Sequence, residues 1–441
     1  MKKLREPVAV TLFFLCATAY FTWPLLPRLG SGLSDSPDSL LNFWALSWSF
    51  HVLPMDIFAL FDANIFFPRP HTLAYSEHLF GVTLLAWPFY VASGNAVLAY
   101  NAALYLTFVL SGVGMYFLAR ELSASVTAGL VAGTIYAFAP YRFLHVLQIQ
   151  LLSAQWFPFV FLFLIRFLRG GSVRSLVAAS AFALLQVLSC NYYALYLGLA
   201  VVLFAAVHAR ELARDRRKLA LAGFAAAAVG GVALPFFLPY QANRTEQGFY
   251  RRYEDVVHFS AKPSDYLRPS AFNSSFYQRV LPAQERSEKA LFPGFLVLAL
   301  AGIGLVRGDR KTALYAGTLA AASFVLSLGP ELSVDGNTYY LPYRLFYRYV
   351  PGYNGLRVPA RLGVLVLFGV AILAGPGASW LLSKLSRARP VGGALLLGLT
   401  LGEYHTSSLA RIFPPAPESP VVYHWLSQKE GDFAVLELPM H

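Results

Sequence analysis

Apolar runs of about 17–25 residues recur along the chain, separated by short basic turns or by longer polar segments. Runs of this length cross a bilayer as helices, because helices and closed barrels alone satisfy their backbone in lipid. The roughly ten-residue alternation of an outer-membrane barrel is missing. The pattern predicts an all-α, polytopic membrane protein of about 11 transmembrane helices. Spans are expected near 7–29, 97–119, 125–140, 153–168, 173–190, 191–209, 218–240, 290–306, 312–329, 359–382 and 391–405. The first follows basic Lys2, Lys3 and Arg5 and lacks a clear small-residue cleavage site, so it is read as a retained span.

Charge orders these spans. Each proposed inner turn is basic: Arg120, then Arg166/Arg169/Arg174, Arg210–Lys218, Arg307/Arg310/Lys311 and Lys384/Arg387/Arg389. The inner segments hold 18 of the 35 Lys/Arg but 5 of the 23 Asp/Glu, as expected of loops left in the cytoplasm. The net charge of +12 is therefore a topological signal, not one for nucleic acid. Residues 79–93 do not fit as a crossing. They are too few, contain Pro88, and would invert every later basic turn. They are expected to be a re-entrant or interfacial helix. The N-terminus falls inside and the C-terminus outside.

Composition agrees with this class: 57% of residues are hydrophobic and 13% charged, against about 25% charged in a soluble domain. Residues 1–405 form the transmembrane domain, with long outer loops at 30–96, 241–289 and 330–358. Residues 406–441 form an outer tail, Pro-rich and then helix- and strand-like, resembling the opening of a soluble domain. The Ala-rich run Ala220–Ala233 and Gly129-xxx-Gly133 read as close-packing surfaces. Cys16 and Cys190 read as small buried apolar residues. No P-loop, HExxH or CxxC occurs, and no cofactor or metal is expected.

Chemistry-bearing residues collect at the outer rim. Asp35 and Asp38 lie a few residues beyond the first span, ahead of an amphipathic helix carrying Leu40, Leu41, Trp44 and Trp48. A carboxylate at that depth suits a general base that takes a proton from an acceptor; capping of the helix accounts for Asp38 equally, and a plain turn for Asp35. Glu77 and His78 open the re-entrant segment as a second acid/base pair, a head-group contact or a solvated helix start. Arg142 and His145 follow Pro140, with Gln148 and Gln150 close behind, and suit a phosphate or lipid head groups. Arg344 and Arg348, then Arg357 and Arg361, repeat one helical turn apart among tyrosines. That text fits phosphate and sugar contacts or an aromatic belt with snorkelling arginines.

The chain resembles the GT-C superfamily of membrane glycosyltransferases, including the poorly characterised YfhO-like group. The resemblance rests on Asp35 and Asp38 followed by LLNFWALSW, then NIFFPRPHTLAYSEHLFG, APYRFLHVLQIQLLSAQWFP, SLGPELSVDG and LRVPARL. It implies juxtamembrane helices and a catalytic acid in the first outer loop. It further implies a polyprenyl-phosphate-linked sugar donor, donor-phosphate contacts from Arg142, Arg357 and Arg361, and inverting transfer to a glycan, lipid or protein acceptor outside a bacterial inner membrane. A transporter or flippase of lipid-linked glycans is the second reading, although such proteins place ionisable residues within their spans. A non-catalytic scaffold of envelope assembly is the third.

Overall fold

The computed structural model describes residues 2–248, 251–269, 277, 281, 288–405, 409, 413–415, 420–431 and 433–436. Helices dominate in the order α1 Lys2–Phe21, α2 Pro37–Val52, α3 Phe80–Ser93, α4 Ala96–Ser123, α5 Val126–Phe138, α6 Pro140–Leu144, α7 Ile149–Leu152, α8 Trp156–Gly170, α9 Val173–Ser189, α10 Asn191–Val207, α11 Ala209–Arg214 and α12 Arg216–Gln247. There follow α13 Tyr253–His258, α14 Phe295–Arg307, α15 Arg310–Ser327, α16 Tyr343–Tyr349, α17 Gly363–Ser383, α18 Arg389–Glu403 and α19 Val421–Leu426. Every segment read as a span falls on helix. Among the described residues, four stretches are long and apolar enough to cross a membrane by length and composition: Ala96–Ser123, Ile149–Gly170, Arg216–Gln247 and Pro359–Ser383. Four apolar helices are shorter: Phe80–Ser93, Val173–Ser189, Asn191–Val207 and Phe295–Arg307. The protein is a polytopic helical membrane protein.

Local chemistry sets the helix ends. Asn95, Ser125, Asp215 and Asp309 each accept a backbone N–H two or three residues into α4, α5, α12 and α15, at 3.0–3.3 Å. The core is knit where backbones touch. A Cβ on Gly304 of α14 would meet the Leu373 carbonyl of α17, and one on Gly377 of α17 would meet the Leu300 carbonyl of α14. Gly129 and Gly133 of α5 lie against Tyr116 and Gly112 of α4, with Phe14 of α1 closing on Gly133, as their spacing suggests.

Side-chain contacts sort the helix ends into two groups. At one end the Glu6 carboxylate accepts from the Tyr116 hydroxyl at 2.6 Å and Arg120 at 3.1 Å. Glu121 accepts from Arg166 and Arg169 at 3.0 and 2.9 Å. Lys218 donates to the Leu168 carbonyl at 2.9 Å, and Lys311 pairs with Glu211. These are the basic turns, brought to one end of the bundle. At the other end Asn101 donates to the carbonyls of Leu29 and Gly32, at 2.9 and 2.6 Å, and Arg28 to that of Phe413 at 2.7 Å.

Helix α3 has both ends at this second end. Its Gly81 touches Ser189 at the close of α9, and Asn95 just beyond it donates to the Gly30 carbonyl at 3.0 Å, past the end of α1. Its 14 residues span about 21 Å, short of the roughly 30 Å hydrocarbon layer. The juxtamembrane reading of residues 79–93 fits this geometry, and α2 packs beside α3.

Several expectations need correction. α1 stops at Phe21 and not near residue 29, because Pro24 and Pro27 interrupt the backbone ladder and a short 3₁₀ turn, Leu26–Arg28, takes over. The Ala220–Ala233 run does not pack closely. It belongs to α12, whose apolar window is 6% buried, and small apolar side chains facing lipid gain nothing from burial against protein. Cys16 is exposed on α1, while Cys190 is buried. Residues 331–340 form an antiparallel hairpin, Glu331–Val334 with Asn337–Tyr340. Its tip is Asp335-Gly336, with φ of 50° and 82° at the two positions where a tight hairpin turn demands positive values. In the tail α19 forms, but residues 433–436 carry no strand.

Candidate functional site

The sequence candidates converge at the end opposite the basic turns. α2 opens with Ser36 at its N-cap and Pro37 in the first position, so Asp38 sits one place further in and does not cap the helix. Its exposed carboxylate faces the α6–α7 connection, where Gln148 Nε2 donates to Asp38 Oδ2 at 2.9 Å. Gln148 Oε1 lies 3.0 Å from His145 Nδ1. Because the amide nitrogen is committed to Asp38, its oxygen is the acceptor, and His145 carries its proton on Nδ1. His145 Nε2 is left as a buried lone pair without a hydrogen-bond partner among the described residues, 3.9 Å from Glu288 Oε2.

Glu288 links this group to the arginines. Its carboxylate accepts both arms of Arg361, from Nε at 3.2 Å and Nη2 at 2.5 Å. Arg361 is 7% exposed, and its guanidinium lies 4.6 Å from the centre of the Tyr192 ring. The Tyr192 hydroxyl accepts the Arg357 backbone N–H at 3.0 Å, while the exposed Arg357 side chain covers Phe259 at 4.9 Å. Burial alone would push the Glu288 carboxyl upward, but the Arg361 guanidinium paired with it holds it below its ordinary value. Burial keeps His145 below its ordinary value and hence neutral near pH 7. A polar chain therefore runs in two bonded halves, Asp38–Gln148–His145 and Glu288–Arg361–Tyr192, with 3.9 Å and no hydrogen bond between His145 Nε2 and Glu288 Oε2.

Glu77 flanks this chain. Its Oε2 accepts the Asn191 N–H at 2.8 Å, at the N-terminus of α10, and Cys190 Sγ lies 3.8 Å from Oε1. Burial raises its carboxyl, against the pull of that N–H and of Arg361. His78 has a packing role. It is 1% exposed, Nδ1 accepts the Phe80 N–H at 3.0 Å, and Phe61, Phe236 and Tyr240 surround the ring. Burial pushes it down to about 3. The unfolded chain thus takes up, from about pH 6.5 downward, a proton that folded His78 refuses, and folding stability falls as pH falls through that window. His78→Asn, which retains an acceptor for the Phe80 N–H, is expected to flatten this limb in thermal melts between pH 6.5 and 4.

Three arginines stand apart from the chain. Arg142 is not at the outer surface but 1% exposed inside the bundle, donating to the Leu152 and Thr107 carbonyls at 2.5 and 3.2 Å and lying 5.2 Å from the Phe108 ring centre. The guanidinium satisfies the Leu152 carbonyl, freed at the end of α7, and reaches a second carbonyl within α4, so its donors are turned inward and not toward an outer-face phosphate. Arg344 and Arg348 are exposed on α16, stacked over Tyr340 and Tyr349 at 3.9 and 5.6 Å. Asp35 is exposed ahead of α2 and makes none of the bonds that tie Asp38. Sequence reasoning missed Glu288, one of two acids in the charged run Glu285–Lys289, which matches no recognised motif.

Comparison with known proteins gives three findings. A family model described as a 6-pyruvoyl-tetrahydropterin synthase related domain, membrane protein, matches residues 84–281, which hold His145 and Gln148 but neither Asp38 nor Arg361. The chain is similar to ArnT from Cupriavidus metallidurans, whose crystal structure is bound to undecaprenyl phosphate, at 16% identity and a TM-score of 0.44 over 88% of this chain; it spans 62% of the length of that one. None of the curated proteins matches the chain.

Proposed function

We propose that this protein is a GT-C-type glycosyltransferase of a bacterial inner membrane, with its N-terminus in the cytoplasm and its C-terminus outside. It moves a sugar from a polyprenyl-phosphate donor to an outer-face acceptor, with Asp38 as general base and Asp35 as the alternative. The observation that carries this reading is that the exposed Asp38 carboxylate, bonded through Gln148 to His145, and the buried Arg361 guanidinium, paired with Glu288, meet across 3.9 Å at the end of an apolar helix. In the step, the acceptor oxygen bonds to the anomeric carbon and gives its proton to Asp38. The bond from that carbon to the phosphate oxygen breaks, and the electron pair leaves with the phosphate. Arg361 and Arg357 neutralise the charge that develops there, the largest contribution such a site makes. Glu288 now fills the Arg361 fork, and the donor phosphate takes its place, since a phosphate presents the same pair of acceptors.

A single displacement inverts the anomeric centre. The full chain in proteoliposomes, supplied with radiolabelled polyprenyl-phosphate hexose, pentose and amino-sugar donors, is expected to release polyprenyl phosphate from one donor class and give a product of inverted configuration by NMR. Retained configuration would sink the displacement mechanism. Donor that changes leaflet with its phosphate–sugar bond intact in every case would favour the flippase reading instead.

A further inference from the structure

At the basic end, opposite the Asp38–Arg361 chain, α4, α8, α10, α15 and α17 enclose a cavity of about 360 Å³. This is the size at which small ligands are held. Its shaft is apolar, walled by Leu118, Phe161, Ile165, Phe204 and Ile372. Its mouth carries both signs of charge: Arg169 and Lys311 against Glu211 and Asp309. Between mouth and shaft stands Tyr315. It is 5% exposed and packed on Phe161 and Phe204, and its hydroxyl has no hydrogen-bond partner among the described residues.

The layering is that of an amphiphile. A charged mouth above an apolar shaft matches a head group and an acyl chain. The mouth selects among head groups. A bare anion meets two carboxylates beside its two cations, whereas a head with both a phosphate and an ammonium finds a partner for each. We propose that this cavity binds a zwitterionic phospholipid with a primary ammonium from the leaflet at the basic end. Its phosphate lies on Lys311 and Arg169, its ammonium on Glu211 or Asp309, and an acyl chain along the apolar shaft. Lys311 and Arg169 now hold Glu211 and Glu121, and all four side chains reach the surface, so the phosphate joins these pairs without burying a new charge.

The test uses the full chain, delipidated in detergent and offered phosphatidylethanolamine, phosphatidylcholine or phosphatidylglycerol, with retention read by native mass spectrometry. The expected result is one phosphatidylethanolamine per protein, held about tenfold more tightly than the other two, the worth of one charge-assisted contact. Lys311→Met with Arg169→Met is expected to abolish that preference, and Ile165→Trp to exclude lipid by filling the shaft. If Ile165→Trp fails to fold, the charge pair still decides, because both residues are more than half exposed. No retained lipid, equal retention of all three, or an unchanged preference in the charge variant overturns the proposal.

Discussion

Replacing Asp38 by asparagine is expected to lower transfer by about 10² to 10⁴, the usual contribution of a general base, while the melting temperature barely moves. The geometry explains why this substitution isolates the chemistry. Asn keeps an oxygen that accepts from Gln148 Nε2, so Gln148 stays turned toward α2 and His145 keeps its proton on Nδ1. The N-cap position is Ser36, not Asp38, so the substitution removes no capping bond. What disappears is a negative charge in the first turn of α2, worth about 0.3–1 kcal/mol at an exposed position, and the capacity to take a proton. Asp35→Asn is the control, and wild-type transfer is expected because Asp35 lies outside the polar chain. Loss of transfer in Asp35→Asn alone moves the base three residues upstream. Full transfer in both variants, in an assay where the wild type is active, removes the aspartate base altogether.

The second large effect is at the Arg361–Glu288 pair, where stability and activity are expected to part. Arg361→Met leaves Glu288, four-fifths buried, without its fork, and removing one partner of a buried ion pair costs about 3–5 kcal/mol. Glu288→Met strands Arg361 in the same way. The double variant removes both charges, and apolar replacements of a buried pair are near neutral, so its stability returns toward wild type. Activity follows a different order. Arg361→Met and the double variant both lose transfer, because the exposed Arg357 alone cannot replace the bidentate fork that receives the leaving phosphate, whereas Glu288→Gln keeps that fork and retains transfer. Chemical denaturation and transfer assays on the four proteins form a double-mutant cycle. Strong transfer by the double variant would remove Arg361 from the donor site.

The span pattern was legible because it depends on length and apolar content alone: each expected segment lies on helix, and the basic turns meet at one end. Boundaries were less so where prolines act, as at Pro24 and Pro27 in α1. The Asp335-Gly336 turn was readable as a hairpin signal but lay inside a segment read for its Tyr and Arg. At the site, Asp38, His145 and Arg361 stood out as polar residues at the edges of apolar runs. That criterion cannot tell an arginine facing water from one inside satisfying loose carbonyls, and Arg142 is the second kind. Nor can it find Glu288, whose meaning comes wholly from the distant residues it touches. Asp38 and Arg361 are 323 positions apart, and only the folded chain connects them through Gln148 and His145.

Arg361 stands in the first turn of the Pro359–Ser383 stretch, where polar chain gives way to apolar helix. A lipid phosphate bound there leaves its hydrocarbon tail among the acyl chains alongside. Encounter between enzyme and donor is then a search in a plane, not in a volume. The controlling quantity is donor molecules per lipid, and adding inert phospholipid slows the reaction even when the amount of donor in the tube stays the same.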